Sequence, residues 1–322
     1  MQAIVLTRYG SPDDLELQDV DTPQPGEGEV VVKVHAAAVN DYEWAMVRGK
    51  PLYIRAIAGL RRPKIRIMGT DIAGRVEAVG DGVESLAVGD DVYGDLSDCG
   101  FGGFAEYVAV PERAVMRMPK NLTHVEAATI PHAAGLAYQS LYEIGHVDDV
   151  RTLLINGAGG GVGPIAVQLA KLHGVEVTGV DKTDKLDYLR GLGFDHVIDY
   201  TTTDFTKTGQ RYDLILDVKT NRSPYSYVRA LEPGGTYVTV GGSMPRLLQI
   251  MTLGRLTGRR AGRRIEVLGL KPNKSLDEMT ALVEAGKVVP AVDRVYELSE
   301  TPAALQRFGD AEQHGRVVIR VA

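Results

Sequence analysis

The stretch Ile155-Asn156-Gly157-Ala158-Gly159-Gly160-Gly161-Val162-Gly163 decides how the chain is read. Ahead of it, residues 152–155 form a short apolar run with the length and residue types of a buried strand. Behind it, Val162, Ile165, Ala166, Leu169, Ala170 and Leu172 recur at helical spacing. The glycines therefore fall on a strand-to-helix turn, the context in which a Gly-rich segment carries information. A diphosphate docked at such a turn needs bare backbone N–H groups at close range, and a Cβ would hold it off. The positive end of the following helix favours the same anion. Gly157, Ala158, Gly159, Gly160, Gly161 and Val162 are thus the expected cradle of a diphosphate; a ligand-free glycine loop is the weaker alternative.

The chain beyond the turn supports this reading. Residues 175–180 alternate and end in Asp181, an acid at a strand tip that suits the ribose hydroxyls of a dinucleotide. Strand-like runs follow at 196–198, 213–217, 236–240 and 265–270, mostly separated by helical stretches. Strands alternating with helices predict a doubly wound parallel sheet.

Upstream the pattern differs. Residues 2–7 and 14–20 read as short strands joined by a turn at Ser11-Pro12-Asp13. Residues 29–39 form a long valine-rich strand, and 71–79, 91–93 and 105–110 are further short strands punctuated by glycine. Many short strands with Gly-rich turns predict a partly open β-barrel. Residues 121–143 read as helical, with Thr123 as N-cap and Glu126 as its capping-box partner. A helix over 276–285 and a return to strands ending at 316–321 complete the chain. The expected class is α/β: a barrel domain from residues 1–121 and 272–322, with a dinucleotide-binding domain, 122–271, inserted between them.

With 322 residues, 44% apolar and 24% charged, the chain has the length and composition of a two-domain globular protein. The net charge of −6 gives no reason to expect nucleic acid as a partner. The single cysteine, Cys99, precludes an internal disulfide. The chain opens on a strand pattern and has no apolar stretch long enough to span a bilayer, so a soluble, cytoplasmic protein without a membrane partner is expected.

Several segments, in this order and spacing, carry a family likeness: Val39-Asn40 with Trp44 and Arg48-Gly49; Gly69-Thr70-Asp71-Ile72-Ala73-Gly74; Val88-Gly89-Asp90-Asp91-Val92; Gly103-Phe104-Ala105-Glu106-Tyr107; the glycine turn; Asp195 to Tyr200; Tyr212 to Asp217; and Gly234 to Val238. On these the chain resembles the medium-chain dehydrogenase/reductase superfamily, in its zinc-independent, quinone oxidoreductase-like branch. The resemblance implies a GroES-like barrel, a Rossmann domain, and hydride transfer from NAD(P)H to a small quinone or α,β-unsaturated carbonyl substrate. Zinc-free alcohol or carbonyl oxidoreduction is one alternative; a weakly active NAD(P)H-binding redox sensor is another. Zinc-dependent members have Gly-His-Glu where this chain has Gly69-Thr70-Asp71, and a ligand cysteine where Asn40 and Asp41 stand, so no zinc is expected.

The same resemblance assigns Asn40 to the neighbourhood of nicotinamide and substrate. Trp44 then becomes a candidate pocket wall and Tyr42 a candidate donor, aimed at the oxygen on which charge develops. It places Tyr200 near the adenine, Val218, Val240, Gly241 and Gly242 along the nicotinamide side, and Asn273 within reach of the cofactor. After Asp181 the run Lys182-Thr183-Asp184-Lys185 is open to both cofactors: Asp181 favours a free ribose, whereas Lys182, Lys185 and Thr183 suit a 2′-phosphate, and the resemblance tips the expectation to NADPH. Two residues depart from the family pattern: Leu136 stands where a phosphate-contacting threonine is usual, and His132 replaces an aliphatic residue, reading most simply as a satisfied core histidine. Arg255, Arg259, Arg260, Arg263 and Arg264 read as a solvated loop before the last strand, residues 51–67 as a long loop or lid, and strand 265–270 as the edge through which a homodimer would form.

Overall fold

The computed structural model describes residues 1–322, save the side chain of Ile57. Among them the strands are β1 Gln2–Leu6, β2 Leu15–Asp19, β3 Glu29–Ala38, β4 Asp71–Val79, β5 Asp91–Asp95, β6 Tyr107–Pro111, β7 Met116–Arg117, β8 Thr152–Asn156, β9 Glu176–Asp181, β10 His196–Asp199, β11 Tyr212–Asp217, β12 Leu231–Thr239, β13 Arg264–Val267, β14 Val292–Glu297 and β15 Arg316–Arg320. They fall into two compact units. One holds Met1–His132, Pro272–Gly286 and Pro290–Ala322; the other holds Ala133–Lys271 with Lys287–Val289.

The first unit is organised around β3. Its whole length pairs antiparallel with β4, while its other edge is divided: Glu29–Lys33 pair with β6 and Ala36–Ala38 with β15. Register shifts at Val31/Val32 and Val34/Ala36 mark bulges, which bend and twist a strand. The sheet runs β14-β15-β3-β4-β5-β7, and its valines, with Ile72, Leu96, Phe104 and Ile319, form one buried cluster. β1 and β2 make a separate hairpin, joined by a 3₁₀ turn, Pro12–Asp14, that Ser11 caps where the sequence predicts a turn. The capping box Thr123/Glu126 forms as expected. The single helix expected over 121–143 is instead broken into His124–Ala127, Pro131–Tyr138 and a π-helical Gln139–Ile144. Thr129 Oγ donates back to the Glu126 carbonyl at 2.7 Å, and Pro131 has no N–H with which to continue the first helix.

The second unit is a six-stranded, fully parallel sheet in the order β10-β9-β8-β11-β12-β13. Strand order reverses between β8 and β11, the point where open α/β sheets bind ligands beyond their carboxyl ends. β12 starts at Leu231, five residues before the alternation becomes legible; Pro233-Gly234-Gly235 conceals it, and the pairing with β11 slips there. On one side Leu154, Ile215, Tyr227 and Tyr237 are fully buried together, the two tyrosine rings stacked 4.2 Å apart.

The helix Val162–Lys171 lies against β8 and β9 because Gly163 allows it. A Cβ at 163 would fall inside the van der Waals envelope of the Ala158 carbonyl oxygen, whereas one at Gly191 would meet nothing. Gly163→Ala is therefore expected to lower the unfolding free energy by about 1–3 kcal/mol, with Gly191→Ala within about 1 kcal/mol of wild type. Denaturant midpoints of the two variants check this; equal midpoints would remove the packing argument.

Candidate functional site

In the second unit, β8 ends at Asn156 and the chain turns through Gly157, which takes φ +82°, a left-handed conformation costly for any residue with a Cβ. The Gly157 and Ala158 amides donate to the Val180 carbonyl at 2.9 and 3.1 Å, tying the turn to β9. Among the described residues the amides of Gly160, Gly161 and Val162 have no acceptor, and no side chain caps the helix that follows. Three bare N–H groups at the positive end of a ten-residue helix form an anion cradle. A dinucleotide diphosphate fits this donor set.

Asp181 sits at the tip of β9 and is 8% exposed. Its carboxylate accepts from the Gly159 amide at 2.7 Å and the Lys182 amide at 2.9 Å. The acid expected to read the ribose is thus also the brace of the glycine turn. Lys185 is buried against Gly159, and burial lowers its pKa against the opposing pull of Asp181. Lys182 pairs with Asp184 at 3.0 Å, and Thr183 donates to Asp199 at 2.5 Å. Tyr200 lies 49% exposed, its backbone N–H on the Asp181 carbonyl. At the switch point, fully buried Asp217 accepts from Asn156 Nδ2 at 2.7 Å and Tyr237 OH at 2.8 Å. Burial raises its pKa. This fixes the ends of β8, β11 and β12, from which Val218, Val240 and Gly241 project as half-buried residues.

In the first unit, one buried polar cluster gathers the ends of β3, β4, β5 and β15. The Arg316 guanidinium pairs with Asp71 and donates to Asn40 Oδ1 at 2.6 Å. Asn40 Nδ2 donates to Thr70 Oγ1 at 2.7 Å and to Asp71 at 3.1 Å. Thr70 donates to Glu43 at 2.9 Å, and Glu43 accepts the Asn40 amide at 2.7 Å as the N-terminal box of the helix Asp41–Arg48. Asp95, opposite Asp71 in the ladder, binds His132 Nδ1 at 2.7 Å, while the His132 amide donates to Asp71 at 2.9 Å. Burial raises Glu43 to about 7 and Asp71 to about 6, the latter despite Arg316. Burial pulls His132 down, but the Asp95 bond and charge outweigh it, so its pKa is raised; burial pushes Asp95 up, but the His132 bond and charge outweigh it, so its pKa is lowered. His132 Nε2 carries no hydrogen bond among the described residues.

Two family models match: an alcohol dehydrogenase GroES-like domain over residues 26–120 and a zinc-binding dehydrogenase over 192–319. The chain is 32% identical to the 2-methylene-furan-3-one reductase of Solanum lycopersicum, over 91% of this chain and 71% of that protein. It is 31% identical to the mitochondrial NAD(P)H oxidoreductase RTN4IP1 of Mus musculus, over 100% and 89%. The chain belongs to the medium-chain dehydrogenase/reductase superfamily. The solved quinone oxidoreductase of Coxiella burnetii superposes with a TM-score of 0.89 at 26% identity, covering 100% of this chain and 99% of that one. The GroES-like and Rossmann architecture expected from the sequence is therefore present.

Against that family background, several assignments of individual residues change. Asn40 has both amide hydrogens and its carbonyl engaged inside the cluster, so it positions Asp71 and Arg316 rather than presenting a donor. Trp44 packs against Gly309, where any Cβ would strike its ring, and lies under Arg48 at 4.8 Å. Asn273 takes φ +61° and directs its carboxamide onto Asp95 N and O and Ala114 O at 2.8–3.1 Å, so its groups hold backbone rather than a cofactor. Tyr42 remains available: 40% exposed, its ring stands edge-on to His132 at 5.3 Å and to Phe101 at 6.1 Å. Glu43, Asp95 and Arg316 escaped the sequence reading. Only their separation in the chain conceals them, since each is an ordinary charged residue in a strand or helix pattern. Among the described residues no group of three or more His, Cys, Asp or Glu is arranged to hold a metal ion.

Glu43 yields a pH dependence of stability. Its usual pKa is 4.5 and its folded value about 7. Below 4.5 both states hold the proton; between those values only the folded state does, so stability falls as pH rises through that window. The wild type is expected to lose stability more steeply there than Glu43→Gln, by about 1.4 kcal/mol per pH unit at most. Urea unfolding across the window measures both slopes; parallel slopes would show that Glu43 is ionised throughout.

Proposed function

We propose that this protein is an NAD(P)H-dependent reductase of quinones and α,β-unsaturated carbonyl compounds, with NADPH preferred. The observation that carries the reading is the glycine turn with its three acceptor-free amides, in a chain whose relatives include a named enone reductase and quinone oxidoreductases. The reduced nicotinamide, when bound, supplies a hydride. The turn holds the diphosphate and Asp181 keeps the turn in shape; to bind a 2′-phosphate, Lys182 turns from Asp184 and Thr183 from Asp199. The exposed Tyr200 ring offers the adenine an apolar face, and Val218, Val240 and Gly241 line the nicotinamide side.

The reaction we assign runs without zinc. Thr70 and Asn40 are poor zinc ligands, and the one carboxylate beside them, Asp71, is already held by a guanidinium. Hydride addition to an enone leaves an enolate that needs a proton. His132, with Nδ1 fixed by buried Asp95 and Nε2 unengaged beside the exposed Tyr42 ring, is the acid in this scheme. The protein is read as a cytoplasmic homodimer, supported by the outer edge of β13, which pairs only with β12.

Oxidation of NADPH and of NADH, followed by absorbance, is expected to accelerate with a benzoquinone and with an alkenal, faster with NADPH, and to persist after treatment with a chelator. Tight cofactor binding with no acceleration by either substrate would leave a redox sensor instead. His132→Gln should lower enone turnover by about a hundredfold at unchanged cofactor affinity. Unchanged turnover would assign the proton to solvent.

A further inference from the structure

The segment 51–67, read from the sequence as a long loop or lid, carries the helix Tyr53–Ala58 and belongs to the first unit. It is fastened there. Ile54 and Ala58 are buried in the cluster that holds Val47 and Phe104. Tyr9 OH donates to the Gly59 carbonyl at 2.7 Å, and Arg55 Nε donates to the Gly49 carbonyl at 3.2 Å while its guanidinium lies 4.8 Å from the centre of the Tyr9 ring. The outer side of this ledge is bare. Leu52 is 75% exposed and Leu60 74%, the two most exposed large apolar side chains among the described residues, and Tyr53 is 45% exposed. Single exposed apolar residues are ordinary; two leucines flanking one fixed helix, with a tyrosine on it, make a patch.

The charge on the ledge has one sign. Between Glu43 and Asp71 the sequence has no acidic residue, in a chain of net charge −6. Arg48 lies over the Trp44 ring and Arg55 over Tyr9. The side chains of Lys50, Arg61, Arg62, Lys64 and Arg66 are exposed and have no acceptor among the described residues. The ledge also neighbours the buried polar cluster: its helix contacts the helix Asp41–Arg48, which carries Tyr42, the exposed ring beside His132. Another cationic surface, on residues 244–260, is placed differently. These residues are helical as Met244–Gln249, a π-helical Ile250–Gly254 and Arg255–Arg260, where the sequence suggested a loop for the arginines, and they pack on β13, the edge assigned above to the dimer.

We propose that the ledge at residues 50–66 docks on the surface of a membrane bearing anionic lipids. Each half of the pattern then has a partner. Leu52, Tyr53 and Leu60 enter the boundary between headgroups and acyl chains, and the ammonium and guanidinium groups around them bind lipid phosphates. A second copy of the chain meeting this face would set cation against cation, and a nucleic acid would leave the two leucines without a counterpart. The ledge lies on the membrane rather than crossing it: among the described residues no helix is long and apolar enough to span a bilayer. A reductase docked there would present the Tyr42 side of its first unit to lipophilic quinones or lipid-derived enals, although the docking itself does not depend on the substrate reading.

The test is co-sedimentation of the full chain with phosphatidylcholine vesicles and with vesicles that also contain phosphatidylglycerol. Retention by the anionic vesicles only, falling as salt is raised, is expected. The triple variant Arg61→Glu/Arg62→Glu/Lys64→Glu and the double variant Leu52→Ser/Leu60→Ser should each weaken it by about tenfold or more at an unchanged denaturant midpoint, whereas Arg259→Glu/Arg260→Glu should leave it as in the wild type. In the unaltered chain the anionic vesicles should slow tryptic cleavage after Arg61 and Lys64. No retention by anionic vesicles, or equal retention by neutral ones, overturns the proposal. So does retention that leaves those cleavages unprotected, or that is lost in Arg259→Glu/Arg260→Glu instead. It also fails if light scattering shows a vesicle-free dimer that Leu60→Glu splits, or if duplex DNA is bound and the vesicles are not.

Discussion

The first unit is held together by the buried pairing of Asp71 with Arg316. Asp71 opens β4 and Arg316 opens β15, 245 residues apart in sequence, and Asn40, between them, follows the end of β3. Breaking such a pair by removing one partner typically costs about 3–5 kcal/mol, because the remaining charge is left in a medium that cannot solvate it. The pairing therefore commits the C-terminal strand to the N-terminal sheet. Once these ends meet, Thr70, Glu43, Asp95 and His132 have fixed partners, and the His132–Asp95 hydrogen bond follows.

A comparable economy marks the second unit. Asp181 braces the glycine turn from below, leaving the outward amides of Gly160, Gly161 and Val162 free for an anion. Asp217 does the same for the strand ends, accepting from β8 and β12 at once. In both places a buried carboxylate is tolerated because several N–H or O–H groups converge on it, the condition under which burial of a charge does not unfold a protein. The groups left open at the turn are backbone, which a family can keep while side chains around them diverge. That fits a chain near 30% identity with its relatives whose superposition on a quinone oxidoreductase still covers the whole length.

The helical face at 244–260 belongs to a different level of organisation. It contributes its buried side to the sheet through glycine and isoleucine contacts with β13, and its outer side is exposed.

Much of this was legible in the chain. Glycine spacing, strand alternation and helical periodicity are local signals, so the turn at 155–163, the parallel strands after it, the long β3 and the Thr123 cap follow from residues within a few positions of one another. Helix interruption at 128–131 was local too but hidden, since Thr129 acts through a side-chain bond that periodicity does not register. What sequence alone determined is the pair of folds and the glycine turn between β8 and its helix, because each arises from short-range backbone geometry. What only the tertiary structure decided is which polar side chains already have partners: that Asn40 bonds Thr70, Asp71 and Arg316, that Asn273 bonds the backbone of Asp95 and Ala114, and that His132 has an acid behind it. Those facts depend on contacts between residues tens to hundreds of positions apart, and a hydrogen bond across such a distance leaves no pattern along the chain.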